Sequence, residues 1–172
     1  MQLKIVALVS SMILSGSVLA SNDQIIKPEL QVPAGHELAF ELSASGVQIY
    51  DCKVNQADQP ASWQFRAPRA NLSDLQGQAA GTHYAGPTWA GLDQSLVMAT
   101  VLAKQDSADS NAIPWLLLQA NKTQGQGKFS KVTYIQRLAT VGGKAQPGAC
   151  QTGAVSEVAY TAQYRFFVKK AD

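Results

Sequence analysis

The sequence predicts an all-β protein: a single-domain antiparallel β-sandwich or closed barrel with long loops and one disulfide. Three observations carry that prediction. Short stretches with apolar and polar residues in alternation recur along the chain. Clusters of Gly, Pro and Asn separate them, as turns require. No window carries the 3.6-residue apolar periodicity of an amphipathic helix of any length. Recurring short strands punctuated by such turns belong to sandwiches and barrels rather than to α/β folds.

The elements follow in chain order. Lys4 precedes a mostly apolar run, Ile5 to Leu14, and Val18-Leu19-Ala20 offers small residues to a signal peptidase. Residues 1–20 are therefore expected to be a signal peptide cleaved before Ser21. The run is short for a bilayer span, and no cysteine follows it to carry a lipid. Residues 21–35, with Pro28 and Pro33, read as an extended lead-in to a single β domain over 36–172. Leu38, Phe40 and Leu42 alternate with Glu37, Ala39 and Glu41, Ser45-Gly46 interrupts, and Val47 to Lys53 resumes, which reads as a hairpin. Asn55 to Pro60 is a turn cluster. Ser62 to Ala67 is a strand that Pro68 stops, and short strands lie on either side of Gly77. Leu96 to Leu102 is a central strand or short helix. Trp115 to Leu118 is a strand buried on both faces. Lys131 to Leu138 alternates, with Arg137 on its polar face. A loop over 142–153 carries Cys150, and Val155 to Val168 closes the chain with Val158, Tyr160, Ala162, Tyr164 and Phe166 on one face.

Composition excludes some functions. Fourteen Lys and Arg against 12 Asp and Glu leave a net charge of +2, which falls to +1 without Lys4. Such a chain has no electrostatic footprint for nucleic acid. Cys52 and Cys150 are the two cysteines, and in an oxidising compartment an even pair reads as one disulfide. Closing a loop of roughly 100 residues is worth roughly 4–5 kcal/mol in the chain-entropy account. Two histidines and no CxxC spacing give too few ligands for zinc or copper, and the oxygens of Asp106, Asp109 and Asn111 read as a solvated loop. No metal and no cofactor are expected.

Several segments occur together and in order: Gly46-Val47-Gln48-Ile49-Tyr50-Asp51-Cys52, His83-Tyr84-Ala85-Gly86-Pro87-Thr88-Trp89, Ile113-Pro114-Trp115-Leu116-Leu117-Leu118, Val132 to Leu138 with Gly142-Gly143, Cys150, and Tyr160-Thr161-Ala162. In these the chain resembles the domain-of-unknown-function family 3455, secreted proteins of bacteria and fungi. The resemblance implies export and a single domain, and no activity. Ala90 departs from it, standing where the family pattern has an acidic residue, as does Asp93-Gln94-Ser95 where Asp-Gly-Ser is favoured. Some fungal relatives carry a dehydrogenase label. The residues here lack the GxGxxG and βαβ alternation that such a label needs.

The densest cluster of site-type side chains is Gly81 to Trp89. His83 is the candidate catalytic residue, as an acid or base, with Tyr84, Thr88 and Asp93 near enough in sequence to orient it. Alternatively its imidazole bonds a backbone carbonyl and sets the Gly86-Pro87 turn. Trp89 reads either as an exposed stacking platform or as a plug for the barrel end. Arg137 is a candidate contact for an anionic ligand. His83, Tyr84, Thr88, Trp89 and Arg137 are thus the candidate ligand-binding residues. No complete catalytic motif is present, which favours a non-enzyme. The leading expectation is an exported domain, periplasmic or extracellular, that binds a small molecule or a cell-envelope component at this turn. The alternatives are a small secreted hydrolase or lyase using His83, and a purely structural or interaction domain.

Overall fold

Each strand of this chain pairs antiparallel with the next, and the eighth returns to the first. In the computed structural model, described over residues 25–54 and 60–171, these strands are β1 His36–Lys53, β2 Ser62–Ser73, β3 Ala79–Tyr84, β4 Thr88–Gly91, β5 Leu96–Gln105, β6 Trp115–Gln124, β7 Tyr134–Gly142 and β8 Val155–Lys169. Together they form a closed barrel in sequence order. Of the two all-β architectures the sequence allows, the barrel is the one adopted. Closure gives every strand two neighbours, so the sheet has no edge strand. It also sorts the connections. Those after β2, β4 and β6 lie at one end, and those after β1, β3, β5 and β7 at the other. The expected signal peptide and most of the 55–60 turn lie outside the described residues.

Three expectations about the strands need correction. Gly46 does not break a hairpin, because β1 runs unbroken for 18 residues and pairs with both β2 and β8 across Gly46. A Cβ at position 46 would collide with the Arg69 carbonyl and lie 2.5 Å from the Ala70 Cα. The glycine therefore permits close strand approach instead of a turn. Pro68 does not stop β2. It pairs with Gln48 beside a bulge at Ile49/Tyr50, a place where a sheet tolerates a residue without an N–H. Leu96 to Gln105 is a strand, not a helix, held between β4 and β6.

The lead-in residues also do more than extend. Pro28–Leu30 form one 3-10 turn, and Leu30 is fully buried against Trp115, Leu117 and Leu138 on the outer face of β6 and β7. Three long-range bonds hold the segment there: Gln136 Nε2 donates to the Leu30 carbonyl at 2.7 Å, Gln105 Nε2 to the Ile25 carbonyl at 2.9 Å, and the Lys27 N–H to Gln105 Oε1 at 2.9 Å. The strap accounts for the apolar outer face of β6, since Trp115 and Leu117 lie under it while Leu118 faces the barrel core.

The interior is asymmetric. At the end holding the β6–β7 connection, Phe129 closes the barrel with no solvent exposure. Its ring centroid lies 5.6 Å from Phe40 and 5.2 Å from Phe166, and those two stack at 4.7 Å. The plug is pinned by polar contacts. The Phe129 N–H donates to Ser95 Oγ at 3.0 Å, Ser95 Oγ donates to Asp93 Oδ1 at 2.6 Å, and Lys128 N–H donates to Asp93 Oδ2 at 2.7 Å. These charge-assisted bonds lower the Asp93 pKa to about 2, the Ser95 hydroxyl contributing most. At the other end the Cys52–Cys150 disulfide joins the end of β1 to the β7–β8 connection, with Cα atoms 5.9 Å apart across a sequence separation of 98.

Candidate functional site

The β3–β4 hairpin builds the first wall of the site. Ala85-Gly86-Pro87 is its turn, and Gly86 sits at φ +108°, a conformation open to glycine at little cost. The register sets His83 directly opposite Trp89. The two rings stack at 4.3 Å and 14° between planes, as cross-strand pairs on one face do. Tyr164 from β8 meets both edge-on, at 5.2 Å from His83 and 5.3 Å from Trp89. Strand alternation puts His83 inward and its neighbour Tyr84 outward.

The histidine's protonation state follows from its surroundings. His83 Nδ1 lies 2.8 Å from the Thr88 carbonyl oxygen. A carbonyl can only accept, so Nδ1 carries the hydrogen. Burial lowers the ring's pKa to about 4, the Thr88 carbonyl opposes that shift, and the positive charge of Arg137 adds to it. Above that pH the imidazole is neutral, so its lone pair sits on Nε2.

A cavity of about 420 Å³ opens at this end of the barrel. His83 and Trp89, 2% and 1% exposed, form its inner wall together with Gln48, Arg137 and Tyr164. Phe65, Pro87, Val101, Pro114 and Leu116 supply apolar lining. Arg137 is half-buried and donates from Nε and Nη2 to the Pro114 carbonyl at 3.1 and 2.9 Å. Around it lie buried polar atoms that make no hydrogen bond of good geometry: Gln48 Nε2, Trp89 Nε1, and the hydroxyls of Tyr160 and Tyr164, although Gln48, Tyr160, Tyr164 and Arg137 interact loosely along one line. Burial raises the pKa of Tyr160 and of Tyr164, so both phenols stay neutral.

Of the five predicted ligand-binding residues, His83, Trp89 and Arg137 line this cavity. Tyr84 does not, being 41% exposed on the outer surface. Thr88 does not line it either. It is buried, with Oγ1 donating to the Ala85 carbonyl at 2.9 Å and its own carbonyl holding His83. Trp89 is buried rather than an exposed platform. Arg137 faces the barrel interior with Ile135, not the polar exterior, because the outer face of β7 carries Gln136 and Leu138 under the strap. Asp93 does not orient His83, since it works at the opposite end of the barrel. Ala90 projects away from the Trp89 side of β4 and does not line the cavity.

Sequence reasoning missed Gln48, Tyr164 and the Ile113-Pro114 roof. The roof is held by Thr140 Oγ1, which donates to the Ile113 carbonyl at 2.6 Å, and by Ile113 N–H, which donates to the Gly142 carbonyl at 2.9 Å. A signal for Tyr164 was present. Tyr160 and Tyr164 share the face of Ala162 and Phe166, so two hydroxyls had to enter an otherwise apolar core. Among the described residues no group of three His, Cys, Asp or Glu side chains could hold a metal ion, and no helix is long and apolar enough to cross a membrane.

Residues 33–168 match the family model described as "Protein of unknown function (DUF3455)", and the chain belongs to that family. None of the curated proteins and none of the solved structures compared with the chain matches it.

Proposed function

We propose that this DUF3455 protein is an exported binding barrel that takes one small, mostly apolar molecule into its open end. The observation that carries this reading is a cavity of about 420 Å³ with the Tyr164 hydroxyl and Gln48 Nε2 buried and unpartnered around it. An unmet buried polar atom costs about 1–3 kcal/mol, which a ligand's polar group can offset. Cavities of this size, apolar with a few convergent polar groups, suit small ligands, and an eight-stranded barrel has room for one. Export is supported by the disulfide and by the leader-like residues 1–20. A periplasmic or extracellular setting, with a free small molecule or a cell-envelope component as ligand, follows from that.

The experiment is a thermal-shift screen of small apolar acids, sugars and cell-wall fragments on the wild type and on Val101→Trp. Val101 lines the cavity but is 46% exposed, so an indole there fills the mouth without truncating the core. Ligands are expected to raise the wild-type melting temperature and to leave the variant's unchanged. A screen in which nothing shifts the wild type, or in which every hit shifts the variant equally, sinks the reading.

A small hydrolase or lyase is the second reading, favoured by one observation: a neutral imidazole with its Nε2 lone pair at a cavity wall can act as a base. Turnover of an ester or β-elimination substrate by the wild type, lost in His83→Gln while binding persists, would support it. Binding without turnover excludes it.

A further inference from the structure

We infer that the ligand of this cavity is a monoanion with an apolar body, its carboxylate or equivalent oxyanion seated on Arg137 beside Tyr164 and Gln48. The inference rests on the binding role proposed above and names the chemistry of the occupant. Its basis is a charge left unbalanced. Among the described residues two arginines line the cavity, and no Asp or Glu does. Arg66 is committed to Asp51 at 3.2 Å. Arg137 has no carboxylate within ion-pair distance among the described residues. Its two bonds to the Pro114 carbonyl fix the plane of the guanidinium but use only part of its five-donor fork. A half-buried guanidinium without a counter-ion, beside an apolar cavity, is an arrangement that an incoming anion relieves.

The neighbouring groups fit the same occupant. The Tyr164 hydroxyl and Gln48 Nε2 make no hydrogen bond of good geometry, interacting only loosely with Tyr160 and, for Tyr164, with Arg137 itself, and an oxyanion accepts from both as well as from the guanidinium. Burial keeps the two buried phenols, Tyr160 and Tyr164, neutral, so neither supplies a negative charge that would neutralise Arg137. Phe65, Pro87 and Val101 then receive the apolar body toward the mouth. A cationic ligand would meet Arg137 with no carboxylate to hold it. A polyol would leave the apolar lining unmatched.

The test uses matched probes of three shapes: octanoate, cyclohexanecarboxylate and 2-naphthoate, each beside its primary amide, titrated calorimetrically into the full protein at pH 7. At least one carboxylate is expected to bind tenfold or more tightly than its amide. In Arg137→Gln, checked for an intact fold by its melting curve, that preference should disappear while the amide still binds. Amides that match their carboxylates on the wild type overturn the anion inference and leave the binding role standing. If none of the six probes binds the wild type, both fall. The wild-type comparison decides the question even if Arg137→Gln does not fold.

Discussion

The two ends of this barrel solve the same problem differently. At the closed end Phe129 packs edge-on against the stacked pair Phe40 and Phe166, and the polar groups that hold it bond each other: Asp93, Ser95 and the backbone of Lys128 and Phe129. At the open end no described residue forms such a plug. His83, Trp89 and Tyr164 pack as a ring cluster, yet the hydroxyl of Tyr164, the Trp89 indole N–H and Gln48 Nε2 are buried without partners. At the closed end these polar groups satisfy one another and so contribute stability. The other end leaves buried polar atoms without such bonds beside a cavity.

The comparison breaks or holds on variants placed at each end. The largest effect is expected from Phe129→Ala, which removes the plug from a fully buried position. It should cost about 4 kcal/mol of stability in urea unfolding, while any ligand shift at the open end survives. A loss of binding equal to the loss of stability would show that the two ends are not independent.

The next effect is a pH dependence at the open end. His83 has its folded pKa lowered to about 4, chiefly by burial. An unfolded histidine titrates near 6.5, so between those values the unfolded state holds the extra proton. Stability is therefore complete above about pH 6.5 and falls as the pH drops toward 4, by about 3 kcal/mol from this group. Urea unfolding at pH 7.5 and pH 4.5 should show His83→Gln losing less stability over that interval than the wild type. Equal losses would mean that His83 is not held neutral.

The smallest effects form a pair that tests the contrast directly. Asp93→Asn keeps the shape but removes the charge and sets an amide NH2 against a donor in place of one of the three hydrogen bonds accepted at the closed end, and should cost about 2 kcal/mol. Tyr164→Phe deletes an unpartnered hydroxyl at the open end and should leave stability within about 1 kcal/mol of wild type. Chemical denaturation of both variants measures the difference. If Tyr164→Phe proves the costlier, the open end is as internally satisfied as the closed one.

Much of the framework was legible beforehand because it is local. Alternation gave the strands, Gly86-Pro87 gave the hairpin turn, and the cysteine count gave the disulfide. The errors also have local causes. Gly46 and Pro68 carry turn propensity, and both lie inside strands because tertiary pairing overrides it. Asp93 stands ten residues from His83 and was grouped with it for that reason. The β4 strand between them carries Asp93 to the other end of the barrel.

By itself, then, the sequence determined the all-β class, the two cysteines that pair, the turn at Gly86-Pro87, and the family to which the chain belongs, while the register that opposes His83 to Trp89 came from the structure. Only the tertiary structure decided that the strands close into a barrel, that Arg137 points inward, and that β1, β7 and β8 bring Gln48, Arg137 and Tyr164 to the wall built by β3 and β4. The physical reason is that alternation divides a strand into two faces without saying which one is inside. That choice rests on contacts between residues far apart in the chain: the strap over the outer face of β7 and the closure of β8 onto β1.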